Sequence, residues 1–221
     1  MAATSNASSA AARFRRVLAA FGPAIGLFCA CALFAALRWR TFVTADNFAI
    51  MLQQTAVIGA GAIGMTVVII AGGIDLSVGS TVALGTVAIA LLLQQHLPPL
   101  LAALGGIGTG GLCGLVTGLL VTRLGLTPFI VTLGLMGALR GAAKGLASEQ
   151  PIYPDDTWLN QLMRLGEHGS LPIGVWLTLA LAVLVALMLR YTRGGRLVCA
   201  IGSNEQSARL CGVPIERQKI L

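Results

Sequence analysis

Side chains that can do chemistry are few in this sequence and widely spaced between apolar runs. The most unusual cluster is Gly72-Gly73-Ile74-Asp75-Leu76-Ser77-Val78-Gly79-Ser80, which sets a carboxylate and two hydroxyls between two apolar stretches. Two accounts of it stand side by side. The glycines end one helix and Asp75 caps the next by accepting from orphan backbone N–H groups, or a fixed turn at the membrane edge transmits movement from the aqueous face to a solute pathway. Gln53, Gln54 and Thr132 offer hydrogen bonds to a polar solute, a pattern that bonding between helices explains equally well. Arg140 and Lys144 are four apart and share a helix face, where they either snorkel to the surface or line a wet pathway. The candidates for a pathway or gate are therefore Gln53, Gln54, Asp75, Ser77, Thr132 and Arg140. No catalytic, cofactor-binding or metal-ligating residue is assigned.

A second cluster lies near the end of the chain, in Ser203-Asn-Glu-Gln-Ser-Ala-Arg-Leu-Cys-Gly-Val-Pro214. Ser203 with Gln206 three residues on reads as a capping box, Gly212 as a helix terminator and Pro214 as a residue that can start another helix. The prediction is a two-turn exposed helix carrying Ala208 and Leu210 beside Arg209, a knob for a partner's groove.

The elements that position these residues follow from composition. Of 221 residues, 56% are hydrophobic and 10% charged, against about 25% charged in a soluble domain. A chain with so few polar groups cannot cover a water-soluble core, so its solvent is the bilayer. The spacing predicts an all-α membrane helix bundle of about six spans: Val17 to Leu37, Phe48 to Ala71, Asp75 to Leu93, Leu100 to Val121, a fifth that follows the short connection Arg123 to Pro128 and runs to about Ala147, and Leu171 to Leu189, with a polar loop over 148–170 before the last. A cytoplasmic tail (1–16) precedes this spanning region (17–189), and a polar, basic segment (190–221) follows it. The first apolar run exceeds the core of a signal peptide, which favours an uncleaved span.

Gly59-Ala-Gly61-Ala-Ile-Gly64 matches the dinucleotide fingerprint, but that motif needs a strand before it and these glycines sit mid-span. Ala56, Ala60 and Gly64 instead form a small-residue face. Ala102, Gly106, Gly110, Gly114 and Gly118 recur at four-residue spacing in the fourth span, as do Gly137, Gly141 and Gly145 in the fifth. Such stripes predict close helix packing, because backbones without side chains approach closely and gain dispersion contacts. Of five cysteines, Cys29, Cys31 and Cys113 act as small hydrophobes within spans, and Cys199 and Cys211 fall on the cytoplasmic, reducing side.

The net charge of +7 does not point to nucleic acid, because Lys and Arg cluster at the ends of apolar runs and not along one stripe. They report topology. With the N-terminus inside, the inner segments hold Arg13, Arg15, Arg16, Arg123, Arg190, Arg193, Arg196, Arg209, Arg217 and Lys219, ten residues against five outside: Arg38, Arg40, Arg140, Lys144 and Arg164. The positive-inside rule then predicts a cytoplasmic N-terminus.

Three motifs in order, Gly72 to Ser80, Thr127-Pro-Phe-Ile-Val-Thr-Leu-Gly134 with Arg140-Gly141, and Gly195-Arg196 with Ala200-Ile-Gly-Ser-Asn-Glu205 through Ala208-Arg209 to Gly212, resemble the ribose/xylose/arabinose-type permeases of ABC importers. The resemblance covers about residues 40 to 221. It implies a bacterial inner-membrane subunit importing a monosaccharide or related small polar solute. Its partners would be a second permease copy, a cytoplasmic ABC ATPase and a periplasmic sugar-binding protein that sets specificity. By that likeness 203–212 is the coupling helix, with Asn204, Glu205, Ala208, Arg209 and Gly212 at the ATPase contact. The permease would not hydrolyse ATP, in keeping with the lack of a Walker A sequence. Family members continue past the coupling helix into further spans, so this sequence resembles the N-terminal portion of a permease. A secondary transporter or channel needing no ATPase is the alternative, and a membrane-anchored interaction protein a third reading.

Overall fold

A computed structural model describes residues 3–164 and 171–220. Its helices are α1 (Ala3–Phe42), α2 (Ala45–Ile70), α3 (Val78–Gln94), α4 (Pro99–Arg123), α5 (Pro128–Leu146), α6 (Trp158–Gln161), α7 (Ile173–Tyr191), α8 (Arg193–Ser203), α9 (Glu205–Leu210) and α10 (Ile215–Ile220), with no strand among the described residues. Five stretches are long and apolar enough to cross a membrane: Ala24–Phe42 within α1, and α2, α4, α5 and α7. The remaining expected span, α3, has 17 residues, about 25 Å of helix against an apolar core of about 30 Å. The loop expected over 148–170 contains α6 and is described as far as Arg164; residues 165–170 lie outside the described residues.

The chain divides into two compact units, Met1–Met51 and Leu52–Leu221. In the first, α1 departs from helical dihedrals at Arg38 (φ −142°, ψ 52°). The turn into α2 is held by its own polar groups: the Thr44 hydroxyl accepts from the Asn47 N–H at 3.3 Å, and Asn47 Nδ2 donates to the Phe42 carbonyl at 2.9 Å. Phe42 also stacks on Phe34 at 5.8 Å between ring centroids.

In the second unit α2 ends in a Schellman turn. Gly72 takes φ +82°, its N–H donates to the Ile69 carbonyl, and the Gly73 N–H reaches the Val68 carbonyl, each at 2.9 Å. Only glycine adopts that left-handed conformation without strain. The chain then runs non-helically to Ser77, so α3 begins at Val78 and not at Asp75 as expected. α3 and α4 form an antiparallel hairpin through a turn at His96, and α5 packs on both through buried Val131, Thr132 and Ala143. Elsewhere in this unit, the Thr178 hydroxyl of α7 donates to the Ala56 carbonyl of α2 at 3.3 Å, which places Ala56 of the Ala56/Ala60/Gly64 face at a helix contact.

The glycine stripe of α4 meets its neighbours at the ends and not in the middle. Ala102 is 0% exposed; a Cβ on Gly106 would meet the Ile89 side chain at 2.5 Å and the Gly85 carbonyl at 3.3 Å, and one on Gly118 would meet Ile220 Cα at 2.9 Å. Gly110 and Gly114 have nothing within 4 Å, and the same holds for Gly137, Gly141 and Gly145. The reason is geometric. A step of four residues overshoots a 3.6-residue turn by about 40°, so the stripe winds around α4, facing α3 at Gly106 and α10 at Gly118 while its middle passes between the two and touches neither.

Candidate functional site

Three of the expected pathway residues are brought together at the start of α3. Asp75 Oδ1 accepts from the Ser77 N–H at 2.7 Å and from the Ser77 hydroxyl at 2.6 Å. Asp75 thus closes the turn ahead of the helix and does not cap α3 itself; Ser77 is the N-cap residue and its side chain makes no capping bond. Thr132, 1% exposed, donates to the Pro128 carbonyl at 2.9 Å and reaches the Ile74 carbonyl at 3.3 Å. In an apolar medium an unpaired backbone carbonyl is expensive, so a hydroxyl on α5 satisfies backbone that the break after α2 leaves free.

Gln53 lies elsewhere. It lines a depression of about 320 Å³ with Asp156, Thr157, Asn160, Gln161, Met163 and Arg164, where the Thr157 hydroxyl is buried with no hydrogen-bond partner. Gln54 is exposed and does not line this depression. Arg140 lines a different groove, between α3 and α5.

The segment after α7 is more built than expected. Residues 193–203, read as a polar connection, form α8, capped by the Thr192 hydroxyl accepting from the Gly195 N–H at 3.1 Å. Ser203 ends α8 and starts no capping box. Asn204 is the N-cap of α9, its Oδ1 accepting from the Ser207 N–H at 2.9 Å. Asn outranks Ser as a cap only slightly; the position is decided by Asn204 leaving helical dihedrals at φ −159° while Ser203 stays in α8. Gly212 terminates α9 as expected, with φ +81° and a Schellman pair from Gly212 N–H to Arg209 O and Val213 N–H to Ala208 O, each 3.0 Å.

α9 is held from below and from one side. Ala208, 6% exposed, clusters with Ile201 and Ile215, so it supports the helix from beneath and does not sit on its outer face as expected. Lys219 of α10 donates to Glu205 at 2.7 Å, and Arg209 lies 3.8 Å from Glu205 and 4.0 Å from Glu216. Leu210 projects outward and is 89% exposed. An apolar side chain so bare on a braced helix suits insertion into an apolar pocket of a partner.

Sequence reasoning had no role for Gly202 beyond its place in a motif. Its backbone lies against the Ile70 carbonyl, and a Cβ on Gly72 would come within 3.8 Å of Gly202 Cα. The last turn of α8 thus rests on the turn that ends α2, one residue pair before α9. A glycine inside the strongly amphipathic α8 was the available signal, since it is retained against a cost of about 1 kcal/mol relative to alanine. Gly202→Val is expected to destabilise this contact by about 1–3 kcal/mol and to speed trypsin cleavage at Arg209, Arg217 and Lys219. Gly194→Ala, where a Cβ meets only the Thr192 hydroxyl at 3.9 Å, should leave cleavage unchanged. Equal cleavage of the two variants would refute the contact.

Residues 47–221 match a family described as branched-chain amino acid transport system / permease component. Among curated relatives, the ribose import permease protein of Escherichia coli (strain K12) is 34% identical over 183 residues, 81% of this chain and 57% of that protein. The fructose import permease protein of Rhizobium meliloti is 32% identical over 207 residues, 90% of this chain and 57% of that protein, and the ribose import permease protein of Bacillus subtilis (strain 168) is 34% identical over 210 residues, 94% and 65%. The chain therefore spans somewhat over half the length of these relatives. No solved structure matches.

Proposed function

Because the chain belongs to the branched-chain amino acid transport system / permease component family, we propose that it forms membrane-spanning structure of an ATP-driven importer for a monosaccharide or related small polar solute. It is a multi-pass membrane protein. The observation that carries the reading is α9: a short helix, capped at both ends and braced by α8 and α10, that presents Leu210 to solvent. A carrier driven by an ion gradient has no ATPase for such a helix to meet. In this reading Asn204 and Gly212 set the ends of the coupling helix, Glu205 and Arg209 give its charge, Ala208 supports it from beneath, and ATP is bound and hydrolysed by a separate subunit. A second copy of the chain and a periplasmic sugar-binding protein complete the importer, and the binding protein selects the sugar.

The reading places residues 1–16 and 190–221 in the cytoplasm of a bacterium and the spans of 17–189 in its inner membrane, supported by the ten-to-five distribution of Lys and Arg. With the five native cysteines replaced by serine, single cysteines introduced near residue 160 are expected to react with an impermeant maleimide on intact spheroplasts, and those near residue 205 only after lysis. Reaction at 205 with intact cells would overturn both the orientation and the coupling role.

A further inference from the structure

Arg140 and Lys144 of α5 line a groove of about 580 Å³ whose opposite wall is the first turn of α3, at Gly79 and Ser80. Thr132, near the start of α5, meets Ile74, and further along both segments Gly137, Arg140, Gly141 and Lys144 line one groove with Gly79 and Ser80; the two therefore run the same way. This bears on the two readings of the cations. A side chain snorkelling outward from the last turns of α5 would leave the first turn of α3 behind, whereas both cations share a groove with it.

Everything polar that lines this groove can donate. Arg140 and Lys144 form no ion pair with any described residue. Ser80 is 2% exposed and lines the groove, and its hydroxyl has no hydrogen-bond partner among the described residues. The α3 N-terminus adds N–H groups that no side chain caps and the positive end of the helix dipole. The nearby Asp75 carboxylate is turned to Ser77, accepting its N–H and hydroxyl. Glycines at 79, 137 and 141 leave the walls low, so a group of several atoms can approach the backbone. Two cations on an apolar span that pair with no described acid are costly unless an anion joins them.

We infer that this groove is an anion-binding site for a phosphate-type group, supplied either by a lipid headgroup or by a solute. Arg140 would bind it through its planar fork and Lys144 as a point charge, with the Ser80 hydroxyl donating a further bond. The inference goes beyond the transport reading and does not need an ATPase to be true.

The test uses the chain in nanodiscs of phosphatidylcholine alone and of equal parts phosphatidylcholine and phosphatidylglycerol, with millimolar inorganic phosphate or the same ionic strength of chloride, and reads thermal unfolding. A rise in unfolding temperature with phosphate in phosphatidylcholine identifies a free anion as sufficient. A rise with phosphatidylglycerol that phosphate does not increase identifies the headgroup. Either rise is expected to vanish in R140Q/K144Q and to need about tenfold more ligand in S80A, while R123Q, in the last turn of α4 and outside the groove, keeps it. K144Q alone, a change near the helix end, carries the test if the double variant inserts poorly, and should also need about tenfold more ligand. No rise with either anion source, or a rise that survives in K144Q and S80A at wild-type concentrations, would overturn the proposal.

Discussion

Gly106→Leu is expected to leave little folded protein, while Gly110→Leu, one step along the same stripe, leaves yield and detergent stability of this chain near wild type. At Gly106 the first carbon already meets Ile89 at 2.5 Å and the Gly85 carbonyl at 3.3 Å, and α3 is the helix against which α4 packs most extensively. Ile89 can rotate away, but the Gly85 backbone cannot, so α3 and α4 must separate. Forcing bulk into such a contact costs about 1–3 kcal/mol for modest overpacking and more when backbones part. Separation also forfeits the dispersion that replaces the hydrophobic effect between helices in lipid. Gly118→Leu should act like Gly106→Leu but more locally, displacing α10 through Ile220. Thermal unfolding in a mild detergent, with size-exclusion recovery, separates these cases. Similar losses in Gly106→Leu and Gly110→Leu would show that the middle of the stripe is packed as tightly as its end.

The second large effect is expected at α9. Gly212→Pro demands φ near −65° where the chain takes +81° and removes the N–H that donates to Arg209, a combined penalty of about 3 kcal/mol or more. Leu210→Asp leaves the helix intact and replaces its bare apolar tip with a charge. On the proposed coupling role, in vesicles carrying the complete importer, both changes should reduce solute uptake and solute-stimulated ATP hydrolysis together by at least about tenfold, which corresponds to losing one anchor of about 1.4 kcal/mol or more. Membrane insertion should be unchanged. Glu205→Gln tests the bracing separately: it removes the charge partner of Lys219, and since the pair is partly exposed the effect should be small. Wild-type uptake and stimulation in Leu210→Asp would remove α9 from the coupling role and return the ATP-independent carrier to contention.

The apolar runs and their punctuation determined a great deal without any tertiary information. Gly72-Gly73 before Ile74, Pro99 and Pro128 at helix starts, and Gly212 after a short amphipathic segment mark helix ends through local dihedral preferences and missing N–H groups, which act within a few residues. The membrane-spanning class followed from composition alone, because no other solvent accommodates so apolar a surface. Where two local signals competed, the sequence was ambiguous: Ser203 and Asn204 are both good caps, and only the direction of the chain after α8 selects Asn204. α8 itself was missed because it packs on α7 and α10 and touches the end of α2 only at Gly202, and a run of glycine and arginine carries no local mark of those contacts.

Which candidates meet was decided only by the tertiary structure. Asp75, Ser77 and Thr132 converge because α5 passes the non-helical stretch before α3, a contact 58 residues apart in the chain. Gln53 and Arg140 line separate depressions, although sequence reasoning treated them as members of one pathway. The four-residue glycine stripe shows the limit most directly. Spacing places glycines near one another on a helix, but whether Gly106 or Gly110 touches a neighbour depends on where α3 and α10 lie around α4, and no periodicity within α4 contains the position of another helix.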